Sequence, residues 1–273
     1  MEMRGRVVVV TGAGNGIGEA IARAVHTAGA RGVVVADVDI TRASTVAAEL
    51  ERTRPTSAIA IEADVTSEAA NEALVASSIE AFGQVDVFFA NAGVALGTDL
   101  ATTSEELWAR SFDVNVHAHR WAAKALVPGW VERGEGYFVA TASAAGLLAQ
   151  IGSAPYSVTK HAAVAFAEWL SITYGDRGVR VSCLCPQGVN TAMLDGTASS
   201  MIGGNAVRAS GAVLEPPAVA ATVLQAMLDE RFLILPHPEV RDYQRRKVAD
   251  PDRWLAGMRR FQARLLAQRM DAG

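Results

Sequence analysis

The sequence predicts an α/β fold: one seven-stranded parallel sheet wound on both sides by helices, followed by a C-terminal helical extension. Seven short β-branched runs alternate with longer Ala-rich helical stretches along the 273 residues. Most of the runs contain consecutive Val, Ile, Leu or Phe without polar alternation, which is typical of parallel strands covered on both faces. No Pro/Ser-rich linker, low-complexity tract or internal repeat divides the chain. We therefore expect a single domain over 1–273.

The seven strands are expected in chain order, each as a short apolar run. They lie at 6–11, 32–37, 57–63, 86–90, 136–141, 179–185 and 232–235. Helical patterns fill the intervals, near 16–29, 41–53, 67–82, 104–132, 155–175 and 216–230. Because parallel strands need crossover connections of about this length, the alternation predicts a doubly wound sheet.

Two segments depart from this alternation. Residues 190–215 are rich in Gly, Ala and Ser with scattered apolar residues, which predicts a mobile flap. Residues 237–273 predict a helical extension with a net charge of +4, whereas residues 1–236 carry −8. The apolar stripe of the extension follows 4-3-4 spacing and consists of Trp254, Met258, Phe261 and Leu265. We expect the extension to pack on a subunit or to close the active site; binding to an anionic membrane surface is the alternative.

Composition excludes several classes of protein. Half of the residues are hydrophobic, a fifth are charged and the mean hydropathy is +0.18, which excludes a disordered chain. The acidic body argues against a nucleic-acid partner. Cys183 and Cys185 are the only cysteines and lie in one apolar run, and no apolar stretch is long enough to span a membrane. We therefore expect a cytoplasmic protein without a membrane partner.

No metal site is expected from the His and Cys pairs. His117 and His119 lie two apart on a predicted helix, hence about 200° apart around it, so they cannot share a metal. The cysteine pair has no accompanying ligand motif.

A glycine-rich run, TGAGNGIG at 11–18, follows the first strand and precedes an Ala-rich helix. Glycines let the backbone approach a pyrophosphate, whose charge is stabilised by the N–H groups at a helix start. This context predicts dinucleotide binding on a Rossmann fold, with a purely structural turn as the alternative. The expected contacts are Gly12, Asn15, Gly16, Ile17 and Gly18.

Asp37 ends the second strand, 19 residues beyond Gly18. A carboxylate at this place accepts hydrogen bonds from the adenosine ribose hydroxyls and repels a 2′-phosphate. Neither Asn15 nor Val38 supplies a cation that could bind that phosphate. The sequence therefore favours NAD over NADP, and a surface Asp that caps a turn is the alternative.

Tyr156 and Lys160 lie four apart at the start of a helical run. This spacing places the phenol and the ammonium on one helix face. A phenol titrates near 10 in water, and a nearby ammonium is expected to lower its pKa toward the range of a general base. Such pairs are also common on helix surfaces, so the pair alone establishes no function.

The full set of motifs resembles the short-chain dehydrogenase/reductase family, in its single-domain branch of roughly 250 residues. The likeness covers about residues 5–235. The residues that carry it, in order, are Thr11–Gly18, Asp37, Asp64, Val65, Asn91, Ala92, Gly93, Asn115, Ser143, Tyr156 and Lys160.

The resemblance implies a role for each matching residue. Tyr156 would exchange a proton with the substrate oxygen, and Lys160 would lower its pKa and bind the nicotinamide ribose. Ser143 would hydrogen-bond the developing alkoxide, and Asn115 would hold a water in a proton relay, with a bridge inside the core as its alternative. The cofactor would also contact Asp64, Val65, Asn91, Ala92 and Gly93, of which Asn91 is partly structural.

The run CPQGVNT at 185–191 resembles the family's loop over the nicotinamide carboxamide, with one departure. Gln187 stands where the family usually has Gly, which puts the local shape of the loop in doubt. Pro186, Gly188, Val189 and Thr191 are expected at the cofactor.

The positions expected to face the substrate are mostly apolar, with no Arg or Lys among them. They are Ala144, Leu148, Gln150, Ile151, Gln187, Met193 and Leu194, with Met201 and Ile202 of the flap. They predict a neutral, lipophilic small-molecule alcohol or ketone.

The resulting expectation is an NAD-dependent oxidoreductase that interconverts a secondary alcohol and a ketone. Two alternatives stay open: an NADPH-dependent ketoreductase of the same fold, and a non-catalytic regulatory protein that binds NAD(H). The resemblance also implies a homo-oligomer, a tetramer or a dimer, formed through the long helices at about 104–132 and 155–175.

Overall fold

The computed structural model describes residues 1–195 and 201–270 and contains one seven-stranded parallel sheet. The strands are β1 (Val7–Thr11), β2 (Gly32–Asp37), β3 (Ala58–Glu62), β4 (Val87–Ala90), β5 (Gly136–Thr141), β6 (Val179–Leu184) and β7 (Leu233–Ile234). Their order across the sheet is β3-β2-β1-β4-β5-β6-β7, and every pair is parallel. The predicted doubly wound Rossmann fold is confirmed, with strand ends that differ from the predicted ones by a residue or two.

Helices connect the strands and cover both faces of the sheet. They are α1 (Gly16–Thr27), α2 (Ile40–Thr53), α3 (Glu68–Phe82), α4 (Glu105–Phe112), α5 (Ala118–Arg133), α6 (Ala145–Leu148), α7 (Ala154–Tyr174), α8 (Ala192–Asp195), α9 (Met201–Ala209), α10 (Pro216–Leu228), α11 (Glu239–Ala249) and α12 (Pro251–Met270). Among the helices in the described ranges, none is both long and apolar enough to cross a membrane.

The core lies on the two faces of the sheet. On one face, α1, α2 and α10 pack against side chains such as Val8 and Val10 of β1. On the other, α3, α5 and α7 pack against Val9 of the same strand. Because successive side chains of a strand point to opposite faces, both sets are apolar, which explains the unbroken Val run in the sequence.

The stretch predicted as one helix over 104–132 is interrupted. A π-helical turn, Asp113–His117, separates α4 from α5. A π-turn inserts one extra residue into a helix and changes little in its apolar periodicity, so the sequence pattern did not show it.

The C-terminal extension consists of two helices rather than one. The backbone breaks at Asp250, whose Oδ1 accepts a hydrogen bond from the Arg253 N–H, 2.9 Å away, and Pro251 opens α12. Proline suits a first helical turn because its missing N–H would have no partner there. In the predicted flap, α8 and α9 lie on either side of 196–200, which is outside the described residues.

Candidate active site

The turn between β1 and α1 brings the backbone close to the carboxyl end of the sheet. Gly12 and Gly16 have φ values of +63° and +59°, a region that other residues rarely adopt. A Cβ on Gly18 would lie 2.1 Å from the carbonyl oxygen of Gly12, and one on Gly12 would lie 2.9 Å from Cα of Ala92. The turn therefore needs glycine at these positions, and the N–H groups that begin α1 face a cradle that suits a pyrophosphate.

Asp37 lies beside this turn and is fixed by backbone groups. Its Oδ2 accepts a hydrogen bond from the Gly14 N–H at 2.9 Å, and its Oδ1 accepts one from the Asp39 N–H at 3.0 Å. The nearby Arg42 forms an ion pair with Asp39 at 3.1 Å, and Val38 is 63% exposed. A carboxylate is thus held at the place where a ribose would lie, and the neighbouring guanidinium already has a partner.

Asn91 ties together the carboxyl ends of three strands. Its Nδ2 donates to the carbonyl oxygen of Thr11 at 3.0 Å, and its Oδ1 accepts from the Thr141 hydroxyl at 3.2 Å. Its backbone N–H donates to the Thr11 hydroxyl at 3.0 Å. Asn91 therefore holds the glycine turn against β4 and β5. This is the structural part of the role expected for it.

The π-turn places Asn115 in the core beside Lys160. Asn115 Nδ2 donates to the Val94 carbonyl at 2.9 Å and to the Thr159 hydroxyl at 3.0 Å, while its Oδ1 accepts from the Val94 N–H at 2.9 Å. A Cβ on Gly93 would lie 3.3 Å from Lys160 Nζ and 3.4 Å from Asn115 Oδ1. Both the relay proposed for Asn115 and its alternative, a bridge inside the core, are compatible with this position.

Helix α7 carries Tyr156 and Lys160 on the face that meets the end of β5. Lys160 Nζ donates to the Thr141 carbonyl at 2.9 Å and lies 5.7 Å from the centroid of the Tyr156 ring. Ser143 follows β5; its Oγ accepts a hydrogen bond from the Ala145 N–H at 3.1 Å, and its hydroxyl is near enough to Tyr156 to lower the pKa of the phenol. The structure thus brings Ser143, Tyr156 and Lys160 together at the carboxyl edge of the sheet, where doubly wound folds bind their ligands.

The pKa of Tyr156 differs from the expectation. Burial raises it above the ordinary value of 10, and the Ser143 hydroxyl opposes the increase only in part. Burial thus outweighs the expected lowering by Lys160, whose ammonium donates to the Thr141 carbonyl rather than to the phenol, and whose own pKa burial lowers to about 8.

The loop after β6 is held by a histidine that the sequence analysis did not single out. The Gln187 N–H donates to Nδ1 of buried His237 at 3.1 Å, and Nε2 of the same ring lies 3.1 Å from the Gly188 carbonyl. One neutral tautomer satisfies both contacts, with the proton on Nε2. The Gln187 side chain donates to Ser210 Oγ, so the residue that departs from the family pattern is anchored to the end of α9.

A cavity of about 330 Å³ runs along the carboxyl edge from Asp37 to Lys160. Of the residues expected at the cofactor, all but Gly188 line it: Gly12, Asn15, Gly16, Ile17, Gly18, Asp37, Asp64, Val65, Asn91, Ala92, Gly93, Tyr156, Lys160, Pro186, Val189 and Thr191. A Cβ on Gly188 would lie 3.0 Å from Val207, so its backbone packs against α9 instead. The cavity has the glycine turn and the carboxylate at the end of β2 that fit a dinucleotide.

A second cavity of about 320 Å³ opens from the first at Ser143, Gln150, Gln187 and Val207. Ala144, Leu148 and Ile151 also line it, as expected for the substrate. Met193 and Leu194 line the first cavity instead, and the side chains of Met201 and Ile202 are outside the described residues.

The C-terminal extension forms the outer wall of the second cavity. Its contributions, which were missing from the predicted substrate set, are Tyr243, Arg246, Trp254, Met258 and Phe261. The 4-3-4 stripe was the signal that could have identified three of them. Leu265 of the stripe packs against Ile151 and Ala206. The positions predicted to face the substrate include no Arg or Lys, whereas the lining of the second cavity includes Arg246, because α11 folds back over the cavity.

Among the described residues, no group of three or more His, Cys, Asp or Glu side chains is arranged to hold a metal ion. Cys183 and Cys185 are buried free thiols.

Comparison with known proteins identifies the family. The short chain dehydrogenase family model matches residues 6–201. The 1-deoxy-11-beta-hydroxypentalenate dehydrogenase of Streptomyces exfoliatus is 37% identical over 88% of this chain and 86% of its own length. The meso-2,3-butanediol dehydrogenase of Serratia marcescens is 34% identical over 86% of this chain and 92% of its own.

Among solved structures, a short chain dehydrogenase/reductase from Burkholderia phymatum in complex with NAD superposes with a TM-score of 0.85. It is 31% identical, and the match covers 92% of this chain and 96% of that one. Family model, relatives and structure agree with the motifs and the sheet order. This chain belongs to the short-chain dehydrogenase/reductase family, whose members are nucleotide-binding oxidoreductases.

Proposed function

We propose that this protein is an NAD(H)-dependent oxidoreductase that interconverts a secondary alcohol and a ketone on a lipophilic molecule. The observation that carries the proposal is the position of Ser143, which lines both cavities and lies at the end of the first cavity that Tyr156 and Lys160 also line. A substrate oxygen at this junction would lie beside a proton donor, with its carbon facing the end of the dinucleotide cavity.

In the proposed mechanism, bound NAD(H) supplies the hydride acceptor or donor. Tyr156 takes the hydroxyl proton in oxidation and returns it in reduction. Ser143 donates a hydrogen bond to the substrate oxygen, which stabilises the negative charge that develops there. Lys160 would hold the nicotinamide ribose and Asp37 would hold the adenosine ribose.

The substrate is proposed to be lipophilic because of what lines the second cavity. Leu148, Ile151, Met258 and Phe261 supply aliphatic and aromatic surface, and the wall next to Ser143 is uncharged. Cavities of this kind bury most of a small apolar ligand and orient it with a few polar groups. The two relatives named above are dehydrogenases of hydroxylated compounds, which supports a hydroxyl as the reacting group.

A panel of secondary alcohols assayed with NAD and with NADP tests the proposal. We expect turnover, and a kcat/KM at least about tenfold higher with NAD, because Asp37 repels a 2′-phosphate and Arg42 is paired with Asp39. Asp37→Ser is expected to shrink that ratio severalfold.

Glu62→Ser is the matched control for this variant. Glu62 ends β3 directly beside Asp37 in the sheet register, is exposed and does not line the cavity. Its loss should leave the NAD/NADP ratio unchanged. Preference for NADP would refute the cofactor proposal, and NADH binding without turnover of any alcohol or ketone would favour the regulatory alternative.

We also propose a homo-oligomer that uses α7. Val158, Trp169 and Ile172 lie close to one stripe of this helix and are 47%, 53% and 84% exposed. Apolar side chains that share a stripe on a helix surface are typical of a subunit contact. Sedimentation velocity should give a dimer or tetramer, and Ile172→Glu should shift it toward the monomer; a monomeric wild-type chain would contradict the proposal.

A further inference from the structure

The second cavity has one charged side chain among the described residues that line it. That residue is Arg246 of α11, at the end of the cavity formed by the C-terminal extension. Ser143, where the second cavity meets the first, marks where the reacting oxygen would lie. The rest of the lining is mostly Ala, Leu, Ile, Met and aromatic surface. A ligand that fills the cavity therefore passes from a hydroxyl-binding end, through an apolar middle, to a cation.

The Arg246 guanidinium has no acidic partner within the described parts of the chain. Its central carbon lies 5.9 Å from the centroid of the Tyr243 ring, so it is stacked over a ring that also lines the cavity. By contrast, the adjacent Arg245 forms an ion pair with Asp242 at 3.4 Å. An arginine at the rim of an apolar cavity, oriented by an aromatic face and free of a carboxylate, can bind an anion that enters with the ligand.

The helix that carries Arg246 is fixed against the cavity wall. Lys247 Nζ donates to the Leu147 carbonyl at 2.6 Å, and the Tyr243 hydroxyl donates to the Ser210 carbonyl at 3.3 Å. Val240 of the same helix is fully buried. These contacts hold α11 to α6 and to the end of α9, so the position of Arg246 relative to Ser143 is set by the fold.

We propose that the substrate carries a carboxylate at the end of its apolar body opposite the reacting oxygen, and that Arg246 binds this carboxylate. A carboxylate is favoured over a phosphate because the described lining of the cavity supplies one positive charge, which balances a carboxylate but only half of a phosphate dianion. The inference rests on the proposed function for the identity of the reacting end. It replaces the expectation of a neutral substrate with that of an amphipathic hydroxy or keto acid.

Paired ligands that differ only in charge test the inference. The probes are cyclohexaneacetate, adamantane-1-acetate and 2-naphthylacetate, each with its uncharged carboxamide, titrated calorimetrically into the NADH-saturated protein. We expect at least one carboxylate to bind about tenfold more tightly than its carboxamide, because a charge-assisted hydrogen bond to a guanidinium distinguishes them. The preference should shrink as NaCl is raised from 50 to 500 mM.

Arg246→Gln should reduce the ratio to less than about twofold while leaving carboxamide binding unchanged. Arg245→Gln is the matched control, since it removes the same charge from the same helix without touching the cavity. The proposal is overturned if no carboxylate is preferred over its carboxamide, and also if neither member of any pair binds. A carboxylate preference that survives Arg246→Gln overturns it as well.

This test is independent of turnover. Alcohol oxidation without a carboxylate preference would refute the Arg246 site and leave the proposed activity standing. A preference that depends on Arg246 in a chain that oxidises no alcohol would refute the activity and leave the anion site standing.

Discussion

Tyr156→Phe is expected to lower kcat for alcohol oxidation by about a thousandfold, within the range that general acid–base catalysis contributes. The substitution removes the phenol oxygen and keeps the ring, so the packing around Lys160 at 5.7 Å from the ring centroid is retained. Affinity for NADH should therefore change by less than about threefold. Steady-state kinetics and NADH fluorescence titration measure the two quantities on the same preparation.

The matched control for this variant is Tyr174→Phe. Tyr174 ends the same helix, α7, and packs edge-to-face with Trp169, away from both cavities. The Tyr174→Phe variant also loses one phenol hydroxyl, so any general effect of removing a hydroxyl from α7 would appear in this variant. Near-normal turnover by Tyr156→Phe would exclude Tyr156 as the proton-transfer residue.

The pH dependence gives a second measurement of the same assignment. Because burial raises the Tyr156 pKa above its ordinary value of 10, the phenol is protonated at neutral pH and little of the basic form is present. Below the pKa that fraction grows about tenfold per pH unit, so kcat/KM for oxidation should rise by about 100-fold between pH 7 and pH 9. Ketone reduction uses the protonated phenol and should not rise. A fall in oxidation over this range would contradict the assignment.

Local motifs explain why most of the site could be predicted. The glycine turn, Asp37 and the Tyr156–Lys160 pair each lie within a few residues of a strand end or within one helical turn. Their geometry therefore follows from the backbone that carries them. The strands were equally visible, because burial on both faces requires consecutive apolar residues.

Tertiary packing explains what the sequence did not show. Arg246 and Tyr243 reach the second cavity because α11 folds back onto α6, and His237 fixes the loop at Gln187 across 50 positions of sequence. No spacing within the extension encodes these contacts. The direction of the Tyr156 pKa shift was hidden for a related reason: the sequence shows the charge four residues away, but the burial of both groups depends on the whole fold.

Gly18→Ala should have the opposite effect to Tyr156→Phe: it should weaken NADH binding, whereas Tyr156→Phe should lower kcat and leave NADH binding intact. The added Cβ would lie 2.1 Å from the Gly12 carbonyl oxygen and 2.6 Å from Asn91 Nδ2. The Gly12 carbonyl and the Asn91 side chain both belong to the β1–α1 turn or hold it in place, so the turn has to open to admit the new Cβ. Overpacking of this kind costs about 1–3 kcal/mol, and a cost of about 3 kcal/mol borne by the bound form corresponds to a weakening of NADH binding by about 100-fold.

Gly129→Ala is the control that separates this local effect from a general intolerance of alanine. Gly129 lies within α5, and a Cβ there would meet nothing within 4 Å. Alanine is the better helix former, so this variant should be unchanged or up to about 1 kcal/mol more stable and should bind NADH normally. If Gly18→Ala bound NADH as tightly as the wild type, the turn could not be the pyrophosphate site, whatever Tyr156→Phe showed. Loss of binding in Gly18→Ala together with retained binding in Tyr156→Phe would assign cofactor affinity to the β1–α1 turn and proton transfer to α7, two elements that line the same cavity.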